Sequence, residues 1–281
     1  MEPVARKTYF SSFEDFSAPR GLGFRLQFGA AVGLIGGLAS GLLGVSPGGI
    51  LVPITILVLG CEQHVAQGIS LFAQIPPTGL AGIKRYREHG NAIPVRWLAP
   101  LAMGFVAGGT LGAGAAGMGS SSGLRWSYVV YLTVLEILLL ARNPLKSSDE
   151  SQGHGITSEL RWLPLSLVGS IAGFSSGFMG IGGGLATTVG LSGILKVPQH
   201  QAQAVSLGLS LMPLTIPAAW VYWRHGWSMP WTAIAFLVLG LWVGTDIGAR
   251  AANSLREIAL RRILAILIFV FAIYMGYKSV T

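Results

Sequence analysis

Apolar stretches recur along the whole chain, at about 24–60, 65–83, 94–118, 124–141, 162–195, 201–223, 231–249 and 259–277. Stretches of roughly 18–20 apolar residues are long enough to cross a hydrocarbon core about 30 Å thick. Within lipid only helices and closed barrels satisfy their own backbone polar groups. These runs are too long and too unbroken for the ten-residue alternation of a barrel strand. The reading is therefore an all-α polytopic membrane protein. Charged residues make up 11% of the 281 residues, against about 25% in soluble domains. A soluble enzyme, a DNA-binding module and a secreted disulfide scaffold are excluded on that ground. The net charge, 19 − 11 = +8, reads as basic loops facing anionic membrane lipids and not as a nucleic-acid surface. Cys61 is the single cysteine, so no intrachain disulfide forms.

One polar stretch, 142–161, divides the chain almost in half. Sliding the second half onto the first by 136 positions aligns them without a gap. Gly37, Ser40, Gly41, Gly44 and Gly48 then fall on Gly173, Ser176, Gly177, Gly180 and Gly184. Gln63, His64, Ala66, Gln67, Ser70 and Leu71 fall on Gln199, His200, Ala202, Gln203, Ser206 and Leu207. Pro77, Tyr86, His89 and Gly90 fall on Pro213, Tyr222, His225 and Gly226. Apolar composition matches Leu and Ala by chance, but not His, Gln, Pro and Tyr in one register. The chain is thus read as an N-terminal arm (1–23), a first repeat (24–141), a linker (142–161) and a second repeat (162–281). Together the repeats hold about 8–10 transmembrane or half-membrane helices. Phe10, Phe13 and Phe16 suit an interfacial helix in the arm, with a disordered tail as the alternative.

Duplicated bundles are how many secondary transporters are built, with substrate bound between the halves. Lys84, Arg85, Arg87 and Arg96 in one loop correspond to Arg224 alone in the other copy. Arg125 alone corresponds to Arg250, Arg256, Arg261 and Arg262. This opposite bias reads as inverted repeats. Counting 24–60 and 162–195 as single crossings gives four per half and parallel repeats instead.

Within the two longest apolar stretches, Ser46-Pro47-Gly48-Gly49 and Gly182-Gly183-Gly184 cannot continue a stable helix. A restarted helix offers N–H groups and a positive dipole end to an anion. Ser46, Gly48 and Gly49, with Gly182, Gly183 and Gly184, are therefore expected to form two anion cradles; close packing of small residues is the alternative. A second constellation, His64, Gln67 and Ser70, is copied as His200, Gln203 and Ser206. Gln63, Gln67 and Ser70 share a helix face, as do their copies. They are neutral donors suited to an oxyanion that must bind and leave, or else they cap a helix start. Glu136 lies inside an apolar segment without a basic residue one turn away, which makes it a candidate proton carrier. Asp246 precedes Arg250 by four positions and reads as a structural ion pair. Gly104, Gly108 and Gly112, with Gly240, Gly244 and Gly248, read as packing stripes. No catalytic pair, nucleotide site, cofactor site or metal-ligand spacing is expected, and the chain does not read as an enzyme. A homo-oligomer is left open.

The glycine-rich segment 41–49 with Pro53, the Ala66–Leu71 stretch, Tyr86-x-x-His89-Gly90 and the second copy Gly177–Gly184 resemble the TauE/SafE sulfite exporter family. The resemblance covers about 28–275. It is fullest at Gly177–Gly184; the first copy departs from it, with Ser46 and Pro47 replacing two glycines. The resemblance implies a multi-pass protein of the bacterial inner membrane that transports small sulfur-containing anions such as sulfite or organosulfonates. An anion channel, or a permease for another small organic anion, is the alternative reading.

Overall fold

A computed structural model describes residues 22–43, 46–77, 94–141, 162–197, 199–227, 229–252, 266 and 269–277. The arm (up to residue 21) and the linker expected at 142–161 lie outside the described residues. Every regular element described is helical, as the apolar runs require. In chain order they are α1 (Leu22–Leu43), α2 (Gly48–Leu59), α3 (Gln63–Ala73), α4 (Val95–Met118), α5 (Ser121–Ala141) and α6 (Trp162–Met179). Then follow α7 (Gly184–Val189), which runs on as a π-helical turn (Gly190–Ile194), α8 (Gln199–Leu209), α9 (Ile216–Arg224) and α10 (Trp231–Ala252). Residues 269–277 are helical too. Val95–Met118, Trp162–Met179 and Trp231–Gly248 are long and apolar enough to cross a membrane, and Gln27–Leu42 and Gly48–Leu59 are shorter apolar helices. Large apolar side chains such as Leu111, Ile171, Leu239 and Val243 stand exposed on these helices, as lipid-facing residues do.

Helix bounds follow the 136-residue shift. Leu43 and Met179 end α1 and α6, Gly48 and Gly184 begin α2 and α7, and α3 maps onto α8. One expectation needs correction: 201–223 is not a single segment. Helix α8 stops at Leu209, and Pro213 and Pro217 bracket the restart at Ile216. A proline supplies no N–H to continue the ladder and crowds the preceding turn.

Two long helix pairs dominate the packing, α1 with α10 and α4 with α6. Each pair joins a helix from before the linker to one from after it. Both are seams of glycine. A β-carbon on Gly29 would lie 2.6 Å from the Ala233 carbonyl oxygen, and those on Gly33 and Gly37 would strike the Leu237 and Leu241 carbonyls. From the other side, Gly240, Gly244 and Gly248 rest on the carbonyls of Ala30, Leu34 and Leu38. In the second seam Gly104, Gly108 and Gly112 meet Ser166, Ser170 and Phe174, while Gly169, Gly173 and Gly177 meet Leu101, Phe105 and Gly109. Lipid provides little hydrophobic drive between helices, so close backbone approach and its dispersion energy hold them together. The glycine stripes read from the sequence are these seams.

Asp246 and Arg250 form the expected ion pair, at 2.6 Å on an exposed face of α10. Exposed pairs of this kind contribute little to stability.

Candidate functional site

The chain is interrupted between α1 and α2 and again between α6 and α7, and these two breaks touch. Ser46, in the first, donates its hydroxyl toward the Ile181 carbonyl in the second (3.2 Å) and toward Gln74 Oε1 (2.9 Å). A β-carbon on Gly48 would strike the Ile181 carbonyl, and one on Gly184 would lie 2.9 Å from the Ser46 β-carbon. What the sequence presents as two cradles is thus one buried junction. Gly180 and Gly182 make the second break possible. Their φ angles of 72° and 66° lie in the left-handed region that side chains resist. At Gly182 a β-carbon would also collide with the Gln74 carboxamide and lie 2.8 Å from Ser46 Oγ.

Interrupted helices leave carbonyls without intrahelical partners, and side chains supply them here. Pro53 inside α2 has no N–H for the Gly49 carbonyl four residues back; the Tyr128 hydroxyl from α5 donates to it at 2.9 Å. Ser70 Oγ donates to the Gly180 carbonyl at 2.7 Å. The single hydroxyl proton of Tyr222 from α9 is shared between the Gly177 carbonyl (3.0 Å) and Gln67 Oε1 (2.9 Å). Ser206 donates to the Gly184 carbonyl at 2.8 Å, beside the Thr188 hydroxyl at 2.9 Å, and so ties α8 to the start of α7. Replacing Tyr222 by Phe leaves two buried acceptors without that donor. It should lower unfolding stability by about 1–3 kcal/mol, measured by chemical denaturation of the purified protein in detergent.

Of the residues singled out in the sequence, Ser46, Gly48, Gly182, Gly184, Gln67, Ser70 and Ser206 lie at or beside this junction. Gly49 contributes the carbonyl that Tyr128 meets, and Gly183 sits against Phe105. His64 is placed elsewhere. Its Nε2 is 3.1 Å from the Ala116 carbonyl, and Ser121 Oγ is 3.3 Å from its Nδ1. A carbonyl only accepts, so Nε2–H donates and Nδ1 receives the Ser121 hydroxyl. The ring stacks on Trp227 at 4.6 Å. Burial lowers the His64 pKa, opposed by the Ala116 and Gly119 carbonyls. His64 therefore pins the start of α3 to the α4–α5 turn. No side-chain hydrogen bond caps α3 at Glu62. The side chains of His200, Gln203 and Glu136 lie outside the described residues, although their backbones belong to α8 and α5.

Three polar groups at the junction were not singled out from the sequence. Gln74 continues the Gln63–Gln67–Ser70 face by one further turn, but its counterpart in the second half is Ser210, so the repeat does not mark it. Tyr222 is marked by the repeat, without a role. Ser176 is buried, and neither its Oγ nor Gln67 Nε2 has a hydrogen-bond partner among the described residues. Buried polar atoms are nearly always paired; both side-chain atoms of Gln63 and the hydroxyls of Thr55 and Thr215 are likewise without a hydrogen-bond partner among the described residues. Among the described residues the buried polar side chains are hydroxyls, carboxamides and the His64 imidazole, with no carboxylate and no Lys or Arg. Nor do they contain a cluster of three His, Cys, Asp or Glu side chains that could hold a metal.

Apolar helices, glycine seams and broken helices converging on a buried neutral hydrogen-bonding junction together define a helical membrane permease. The comparisons with known proteins agree. The family model described as sulfite exporter TauE/SafE matches residues 29–275, and the chain belongs to that family. It is similar to a "Probable membrane transporter protein" of Xylella fastidiosa (strain 9a5c), 28% identical over 256 residues, 88% of this chain and 93% of the relative. The protein of the same description from strain Temecula1 / ATCC 700964 is similar to the same extent. No solved structure matches.

Proposed function

We propose that this protein is a secondary transporter that carries a small sulfur-containing anion, such as sulfite or an organosulfonate, across the bacterial inner membrane by alternating access. The substrate binds at the junction of the two helix breaks, between repeats of opposite orientation. The observation that carries this reading is the donor set. Gln67 Nε2 and Ser176 Oγ are buried and unpartnered among the described residues, beside the restarting helices. Helix starts favour negative charge. A neutral donor set without Lys or Arg holds an oxyanion while still letting it leave. Family membership supports the sulfur-containing class of anion.

The test is thermal stabilisation of the purified protein in detergent by sulfite, sulfate, thiosulfate, sulfoacetate, taurine, acetate and chloride. Sulfite or a sulfonate present at about one hundred times its dissociation constant should stabilise the fold by about 2.7 kcal/mol, with chloride and acetate inert. Replacing both Gln67 and Gln203 by Ala should weaken that binding by about 1–3 kcal/mol. A folded protein that responds to none of these anions overturns the reading. Uptake into vesicles that rises linearly with substrate, without saturation, would replace the carrier by a channel.

A further inference from the structure

Gln74 is the one residue singled out here whose side chain hydrogen-bonds to both sides of the junction and which the repeat does not duplicate. Its Oε1 accepts the Ser46 hydroxyl at 2.9 Å. Its Nε2 donates to Ser70 O (3.0 Å), to Ser70 Oγ (3.1 Å) and, at 3.5 Å, to the Gly180 carbonyl. The same carboxamide fills the space that a side chain on Gly182 would take, and Gln74 Nε2 lies 2.5 Å from where a Gly48 β-carbon would stand. A buried amide therefore clamps the first break to the second, with its oxygen among the groups proposed above to receive an anion.

We propose that Gln74 is an internal competitor for the substrate: its carboxamide oxygen holds the Ser46 hydroxyl, and an anion binds by taking that hydroxyl over. This inference rests on the anion reading above. The chemistry of the exchange is favourable. A hydroxyl donating to a charged oxygen makes a shorter and stronger bond than one donating to an amide oxygen. The displaced Gln74 keeps its Nε2 bonds to Ser70, so only one end of the clamp opens. Gln74 is thereby a specificity-determining residue. An anion with an oxygen able to reach Ser46 displaces the amide, while a spherical halide of low basicity gains less from the exchange.

Two substitutions of nearly unchanged length separate this role from simple packing. Gln74→Glu places a carboxyl group against the Gly180 and Ser70 carbonyls, in the position the anion must take; burial there favours its neutral form, so its binding is read at a pH of about 9, where it is ionised. Gln74→Met removes the closer of the two acceptors of the Ser46 hydroxyl and leaves it only its longer contact with the Ile181 carbonyl, 3.2 Å, while the Ser70–Gly180 bond of 2.7 Å still ties α3 to the break. Binding is measured by calorimetry in detergent with sulfite and with sulfoacetate as probes, on protein shown to be folded by its thermal transition. Gln74→Glu should bind at least about tenfold more weakly through like-charge repulsion. Gln74→Met should bind about fivefold more tightly, the equivalent of one net hydrogen bond no longer displaced. If Gln74→Met binds as the unsubstituted protein does or more weakly, or if Gln74→Glu binds equally well, Gln74 is only a structural link and the anion reading stands without it. Should the folded unsubstituted protein bind neither probe, the anion reading falls and this inference falls with it.

Discussion

Gly108→Val should yield no folded, monodisperse protein. At that position a β-carbon lands on the Ser170 carbonyl oxygen, 2.8 Å from its carbon and 2.9 Å from the Phe174 nitrogen. Those are backbone atoms of a helix, so no rotamer change relieves the overlap, and α4 and α6 must separate along their length. Overpacking even a side-chain core costs about 1–3 kcal/mol; a rigid seam in lipid has fewer ways to relax. The same substitution at Gly33 should act alike through the α1–α10 seam. Gly114→Ala is the control, because nothing lies within 4 Å of its added carbon and α4 gains helix propensity there. Detergent size-exclusion profiles of the three variants check the prediction. A folded Gly108→Val protein would mean that the seam is not the structural axis it is taken for here.

Gly182→Ala should have the second largest effect, and a different one: folded protein with transport reduced at least about a hundredfold. The left-handed backbone conformation there costs a side chain about 1–2 kcal/mol. Its β-carbon also displaces the Gln74 carboxamide and presses on Ser46 Oγ at 2.8 Å. The disturbance is confined to the junction, while both glycine seams remain intact. Substrate uptake in proteoliposomes, compared with the thermal transition of the same preparation, separates loss of function from loss of fold. Undiminished uptake would place the transport site away from the two breaks.

Much of this architecture is legible in the sequence because it depends on local backbone chemistry. Ser-Pro-Gly-Gly and three consecutive glycines interrupt a helix, and α1 ends at Leu43 and α6 at Met179, three residues before those motifs, with α2 and α7 restarting at Gly48 and Gly184 within them. The spacing of Gly104, Gly108 and Gly112 marks a packing face by itself. Which helix lies against that face is not local: α4 meets α6 through Gly169, Gly173 and Gly177, across the linker. The same limit applies to His64. Beside Gln67 and Ser70 it reads as a third donor of one site, yet partners 52 and 57 residues away, Ala116 and Ser121, claim both of its nitrogens. Gln74 is hidden for the opposite reason. The repeat draws the eye to duplicated residues, and the side chain that bridges the junction has Ser210 as its counterpart. Asymmetry within a duplicated frame is where the sequence pattern is least informative.

The pairing of α1 with α10 also sets a timetable for biosynthesis. Leu22 emerges from the ribosome 231 − 22 = 209 residues ahead of Trp231, which at cellular elongation rates is about 10–40 s. Throughout that interval the glycine face of α1 meets lipid or another helix, since its permanent partner does not yet exist. The α1–α10 seam can therefore close only after Trp231–Ala252 has been made, and α1 is among the last of the described helices to be locked in place.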